Sequence, residues 1–230
     1  MLIDIFSVRR TISIAACLVQ MNIGTFLGST ESLLLAVMAY DRYVAISFPL
    51  YYNIIMNWRV CRALILIIWP GDFFLSVVPV ISRPLVFCKE NKLDHFACEI
   101  LAVVELACGN LSFFKVTIFV VSLFTLVLPL LFIMVSYILI ISSVLKIRSA
   151  HGRSKAFSTC ASHLTVVSMF YGTSISMYLG QKNLFYSKMK YISLVYGVIT
   201  PVLNPLIYSF RNKDVKEAFQ KIFAKVVHYH

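Results

Sequence analysis

Residues 38–52 read "MAYDRYVAISFPLYY". The stretch follows a long apolar run, then sets Asp41 and Arg42 side by side between Tyr40 and Tyr43. The run before it, 13–39, exceeds the roughly 20 apolar residues that a helix needs to cross a bilayer. An acid and a base at the foot of such a helix need a reason to be there. Either Arg42 snorkels to anchor a helix end, or the pair has a job.

Composition narrows the choice. The chain has 230 residues, 60% of them hydrophobic and 13% charged. A soluble domain carries about 25% charged residues, so lipid is the expected solvent for much of this chain. Eighteen Phe and twelve Tyr exclude a disordered chain. The first ten residues, "MLIDIFSVRR", lack the basic start, apolar stretch and cleavage site of a signal peptide. Insertion is therefore expected to begin with the first apolar span. A net charge of +11 raises the question of nucleic acid. No basic, aromatic-interleaved motif accompanies it, so the expectation is no nucleic-acid partner. Basic loops beside anionic headgroups explain the charge, with membrane lipid as the partner.

Five apolar segments are expected to be membrane-crossing helices, about 13–39, 61–81, 114–142, 160–180 and 191–210. Helices are the solution because an open sheet cannot satisfy its backbone in hydrocarbon. Pro70, Pro79, Pro129, Pro201 and Pro205 fall inside or at the ends of these spans as tolerated kinks. Twelve of the 21 Lys and Arg lie in the loop after the first span, the loop between the third and fourth, and the tail. The positive-inside rule then puts the C-terminus in the cytoplasm, although Arg9 and Arg10 pull the other way. In the tail, Val215, Ala218, Phe219, Ile222, Phe223 and Val226 recur at helical spacing among lysines. That pattern predicts an amphipathic surface helix over about 212–226, with Asn212 as its cap.

Cys17, Cys88, Cys98 and Cys108 fall on the other, oxidising side. Four cysteines allow three pairings, and spacing does not choose among them. Cys61 and Cys160 are expected to be free thiols. In "HFACE", His95 and Cys98 have the spacing to share a soft metal ion, but a disulfide at Cys98 would remove that ligand. Neither a metal nor a cofactor is called for. "NLS" at 110–112 is a glycosylation sequon close to the third span.

The first span is too polar to face lipid all round, with Gln20, Asn22, Thr25, Ser29, Glu31 and Ser32 in it. Gly24 and Gly28 form a GxxxG, which predicts a packing seam. Glu31 is costly at that depth unless paired, hydrated or protonated. It is either an ion site or a hydrogen-bonded structural acid. Asp72 in the second span raises the same question, and a position near an interface would leave it hydrated. The absence of HExxH, GxSxG and P-loop motifs argues against an enzyme. A transporter or channel would need inverted repeats or a polar pore.

Four stretches together carry a resemblance: "MAYDRYVAISFPLYY" (38–52), "FCKENKLDHFACEILAVVELAC" (87–108), "KAFSTCASHLTVVSMFYGT" (155–173) and "PVLNPLIYSFRNKDVKEAF" (201–219). The chain resembles the olfactory (odorant) receptors, which are rhodopsin-like G-protein-coupled receptors. The resemblance implies an all-α membrane protein, a partial seven-transmembrane helical bundle whose five spans match the third to seventh. It makes 1–230 one receptor domain lacking the first two helices. Ser47, where the family usually has cysteine, and Gly109-Asn110 depart from the pattern.

The resemblance also implies roles. It pairs Cys17 with Cys98 and Cys88 with Cys108. It places Gly24, Thr25, Gly28, Ser29, Val121, Ser122, Thr125, Ser174, Ile175 and Tyr178 on the ligand side. Asp41 would hold Arg42 in an ion pair at rest and release it toward a G protein, with Tyr43 beside them. Tyr137, His163, Tyr171, Asn204, Pro205 and Tyr208 match positions that move on activation. The implied ligand is a small, volatile, largely apolar odorant, and the implied partner is a stimulatory olfactory G protein that raises cyclic AMP. The implied location is the plasma membrane. The alternative is a truncated, non-signalling fragment retained in the endoplasmic reticulum.

Overall fold

The computed structural model describes residues 11–88, 92–179 and 191–209, with Val215 and Ala218 beyond them. The tail expected to form the surface helix over 212–226 otherwise lies outside the described residues. The chain divides into two compact units, Met1–Phe157 and Ser158–His230.

Among the described residues the regular structure is helical. The elements are α1 (Ile14–Ser47), a 3₁₀ turn (Pro49–Tyr51), α2 (Tyr52–Ile55), α3 (Trp58–Ile81), α4 (Ile100–Leu106), α5 (Ser112–Leu145), α6 (Ala150–Leu179) and α7 (Tyr191–Ile207). Phe87 and Ala107 form an isolated antiparallel bridge. By length and apolar sequence, α1, α3 and α5 can cross a membrane. The expected fourth and fifth crossings fall on α6 and α7. α6 has 30 residues but carries His, Ser and Thr along its length, while α7 is apolar but shorter.

Side chains start the helices where the sequence offers a cap. Ser13 Oγ accepts the Ala16 N–H at 3.2 Å ahead of α1. Asn57 Oδ1 accepts from Arg59 and Val60 N–H at the head of α3. Such caps satisfy donors that have no partner within the helix.

In the first unit α1 packs most extensively along the second half of α5. That part of α5 buries Ile133, Ser136, Tyr137, Ile140 and Val144, a single helical stripe. The faces left exposed, including Leu131, Met134, Val135 and Ile138, are apolar as well. A helix that is apolar on both sides suits lipid, not water. α1 has 34 residues and is therefore about 51 Å long, against roughly 30 Å of hydrocarbon. It overruns the bilayer core, which accounts for charges on its last turns.

Three prolines share one device. A π turn spans Phe73–Val77, Leu123–Val127 and Val195–Ile199, and each ends two residues before a proline: Pro79, Pro129 and Pro201. A proline ring clashes with the carbonyl four residues back. Those carbonyls belong to Leu75, Thr125 and Gly197, all inside the wide turns. In each case a buried hydroxyl also bonds a backbone carbonyl: Ser76 to Asp72, Thr125 to Val121 and Thr200 to Val195. The prolines act by widening their helices over one turn.

Candidate functional site

At the C-terminal end of α1, Asp41 and Arg42 do not mirror each other. Pro49 turns the chain back, and α2 delivers Tyr52, whose hydroxyl donates to Asp41 Oδ1 at 2.7 Å. That bond, aided by burial, pushes the Tyr52 phenol up to about 12. The phenol therefore keeps its proton at any physiological pH. The partner the structure gives Asp41 is this hydroxyl. Arg42 Nε is buried with no hydrogen-bond partner among the described residues. A buried donor without an acceptor costs about 1–3 kcal/mol, so an arriving acceptor would be held there.

The same end is tied in two further ways. Ser47 and Ser143 Oγ lie 2.7 Å apart and join α1 to α5. Tyr43 packs edge-on against Phe48 at 5.8 Å, and Tyr40 packs against Phe132 at 6.4 Å. Tyr137 is buried in the adjoining stripe. Ser47, a departure from the resembled pattern, thus makes an interhelical hydrogen bond.

The mid-membrane acid on α3 is not hydrated. Asp72 is 2% exposed. Its Oδ2 accepts from Ser29 Oγ at 2.7 Å and Thr30 Oγ1 at 2.6 Å, while Oδ1 has no hydrogen-bond partner among the described residues. The expectation of an interfacial, solvated Asp72 is corrected: α1 supplies the hydroxyls that water would have supplied. Glu31, beside Thr30, is half-buried.

The residues assigned to the ligand side are in varied settings. Ser29 is buried against Asp72, and Gly24 is exposed. A Cβ built on Gly24 meets nothing within 4 Å among the described residues, so the GxxxG makes no tight seam at this position. Gly28, Thr25, Val121 and Ser122 are half-buried, and Thr125 is buried in its π turn. In the second unit Ser174 is buried, with Oγ on the Phe170 carbonyl at 2.8 Å, and Ile175 is exposed. His163 and Tyr171 are buried, and Phe170 packs against Tyr171 and Tyr196. Asn204 is half-buried and Pro205 exposed on α7. Tyr178 and Tyr208 are placed by backbone alone.

At the opposite end of the first unit, disulfides join Cys17 to Cys98 and Cys88 to Cys108. With its sulfur in a disulfide, Cys98 is not a thiolate ligand, and His95 Nδ1 lies 2.9 Å from the Ala97 carbonyl. Cys61 and Cys160 are thiols outside these disulfides, and Cys160 is buried. The loop is packed as a core. Met21, Val80, Cys98, Ile100, Val103 and Val104 are buried together. Gln20 Oε1 accepts the Cys98 N–H at 3.1 Å. Glu99 caps α4 through the Leu101 and Ala102 amides. Burial outweighs those amides and pushes its carboxyl up to about 7.

Sequence reasoning missed Tyr52 as the partner of Asp41, Ser29 and Thr30 as the partners of Asp72, and Gln20 at Cys98. All were visible as polar residues in apolar surroundings, but their pairings depend on helix register.

Comparison with known proteins supplies what the geometry leaves open. The olfactory receptor family model matches residues 1–226. The chain belongs to the olfactory receptor family. Olfactory receptor 13H1 of Homo sapiens is 47% identical over 225 residues, which cover 97% of this chain and 73% of that protein. Olfactory receptor 2K2 of Homo sapiens is 47% identical over 227 residues, 98% of this chain and 72% of that protein. Olfactory receptor 13C9 of Homo sapiens is 47% identical over 231 residues, 96% of this chain and 72% of that protein.

Proposed function

We propose that this chain is an odorant-sensing G-protein-coupled receptor of the plasma membrane with its C-terminus in the cytoplasm. It binds small, volatile, largely apolar ligands and activates a stimulatory olfactory G protein, which raises cyclic AMP. Gly24, Thr25, Gly28, Ser29, Val121, Ser122, Thr125, Ser174, Ile175 and Tyr178 are the proposed ligand-side residues. Tyr137, His163, Tyr171, Asn204, Pro205 and Tyr208 are proposed to move on activation.

The observation that carries this reading is the inner end of α1. Asp41 is engaged by a phenol, and Arg42 keeps a buried Nε donor with no hydrogen-bond partner among the described residues. An arginine held in that state gains most from an incoming carbonyl or carboxylate, such as a peptide terminus offers. Ligand binding needs to supply only a few kcal/mol to shift such a balance.

The test is a cyclic AMP reporter in cells supplying the stimulatory olfactory G protein, challenged with a panel of volatiles. A response is expected from the native chain and none from Arg42→Ala at equal surface expression. An undiminished response from Arg42→Ala would overturn the mechanism. Surface-expressed protein that is silent to every volatile would favour the non-signalling fragment.

A further inference from the structure

Two residues beyond α3, Arg83 lays its guanidinium over the ring of Phe113, 4.3 Å from the centroid. The pair borders a cavity of about 300 Å³ whose other walls include Leu85, Val86, Asn110 and Phe114. That volume reaches the lower end of the range for small-molecule sites. The walls are fastened in three ways. The Cys88–Cys108 disulfide closes the strip, the Cys108 N–H donates to the Val86 carbonyl at 2.9 Å, and Phe87 bridges Ala107.

The lining has a one-sided chemistry. Among the described residues that line it, Arg83 is the only ionisable one. Asn110 has its side-chain oxygen engaged by the Ser112 N–H at 3.0 Å, so its free side-chain group is the amide donor. The polar side chains therefore offer donors and positive charge, and the remaining walls are mainly aliphatic and aromatic. The cavity lies where α3 ends at Ile81 and α5 begins at Ser112, both helices long enough to cross the bilayer. Guanidinium and aromatic groups at a helix end suit the headgroup level.

We infer that this cavity is a binding site for an anionic amphiphile: a carboxylate or phosphate on Arg83, with its apolar stem along Leu85, Val86, Phe113 and Phe114. The Phe113 ring holds the guanidinium by a cation–π contact that leaves N–H groups for a bidentate anion contact. Such an anion can come from water, as a short-chain carboxylic acid, or from the bilayer, as a phospholipid headgroup.

The full 230-residue chain in phosphatidylcholine nanodiscs tests this by equilibrium dialysis against labelled octanoate, with empty nanodiscs subtracted. Saturable binding is expected. Arg83→Gln should weaken it about tenfold or more, the loss of one charge-assisted contact. Arg83→Lys should retain part of it, and octanol should bind both proteins alike. Circular dichroism and disulfide mapping confirm that the variants keep the fold. Repeating the experiment in phosphatidylglycerol separates the sources. If the occupant is a lipid headgroup, octanoate is displaced, and the native chain retains phosphatidylglycerol through delipidation where Arg83→Gln does not. If it is a soluble acid, octanoate binding persists. Equal octanoate binding and equal lipid retention by native and Arg83→Gln protein would refute the site. So would a native chain that binds neither octanoate nor phosphatidylglycerol. The result is independent of signalling, since Arg42→Ala leaves this cavity intact.

Discussion

The two ends of the first unit are built from different kinds of bond. At one end two disulfides, a buried apolar cluster and a side-chain cap fix the loop onto α1, α3 and α5. At the other, Val44, Ile140 and Val144 are buried where α1 packs on α5, but no disulfide joins the described residues there and the polar ties are single hydrogen bonds: Tyr52 to Asp41, and Ser47 to Ser143. Covalent and hydrophobic ties hold through small perturbations. A lone hydrogen bond, worth about 0.5–1.5 kcal/mol net, exchanges partners easily. Between them lies Asp72, bonded to two hydroxyls of α1 and inaccessible to water. Under the proposed function, the disulfide end is the anchor and the Asp41 end the moving element.

The largest expected effect comes from cutting the anchor. Cys17→Ala with Cys98→Ala releases a loop 81 residues long in sequence. It should cost about 2–5 kcal/mol, read as a lower melting midpoint by circular dichroism in detergent. A midpoint unchanged by the double substitution would show that packing alone holds this end.

Next is the pH response of the same loop. The Glu99 carboxyl is raised from 4.5 to about 7. The folded state therefore binds its proton more tightly than the unfolded state does, and loop stability falls as pH rises from about 4.5 to about 7. The full effect is about 3 kcal/mol. Hydrogen exchange of the α4 amides, corrected for intrinsic rates, should speed up across that window and level off above it. Glu99→Gln should flatten the profile, and a native profile already flat would remove Glu99 from the anchor.

Asp72→Ala should cost about 1–3 kcal/mol. The released Ser29 hydroxyl is not stranded, because it already lies 2.9 Å from the Thr25 carbonyl. Asp72→Asn keeps an acceptor and should cost less, by thermal melting. Equal losses would mean that charge, not hydrogen bonding, joins α1 to α3. The smallest change, Tyr52→Phe, should cost about 0.5–1.5 kcal/mol and speed exchange at the Asp41 end without touching the disulfide end.

Particular residues show how far the sequence could be read. The apolar runs mark α1, α3 and α5 because hydrocarbon admits so few alternatives. The quoted stretch exposes Asp41 and Arg42 because charges in apolar sequence are costly. Tyr52 lies in that stretch, yet its bond depends on the turn at Pro49 and on α2, which a hydropathy pattern does not encode. Asp72 was conspicuous, but its depth and its hydroxyl partners depend on the register between α1 and α3. The prolines were plain and the π turns were not, because a proline can be accommodated in more than one way. Arg83 and Phe113 are brought together by the disulfide-bonded loop, so neither residue reveals the other in sequence.

The central claim, an anchored end and a moving end, is tested most directly by spin-label distances in the chain with Cys61→Ser and Cys160→Ser. One pair at the exposed positions Leu50 and Leu145 reports the Asp41 end, and one at Ile14 and Val116 reports the disulfide end. With a volatile that evokes the cyclic AMP response, the Leu50–Leu145 distribution should shift while Ile14–Val116 stays in place. Equal displacement at both ends, or a static Asp41 end with the volatile bound, would contradict the account.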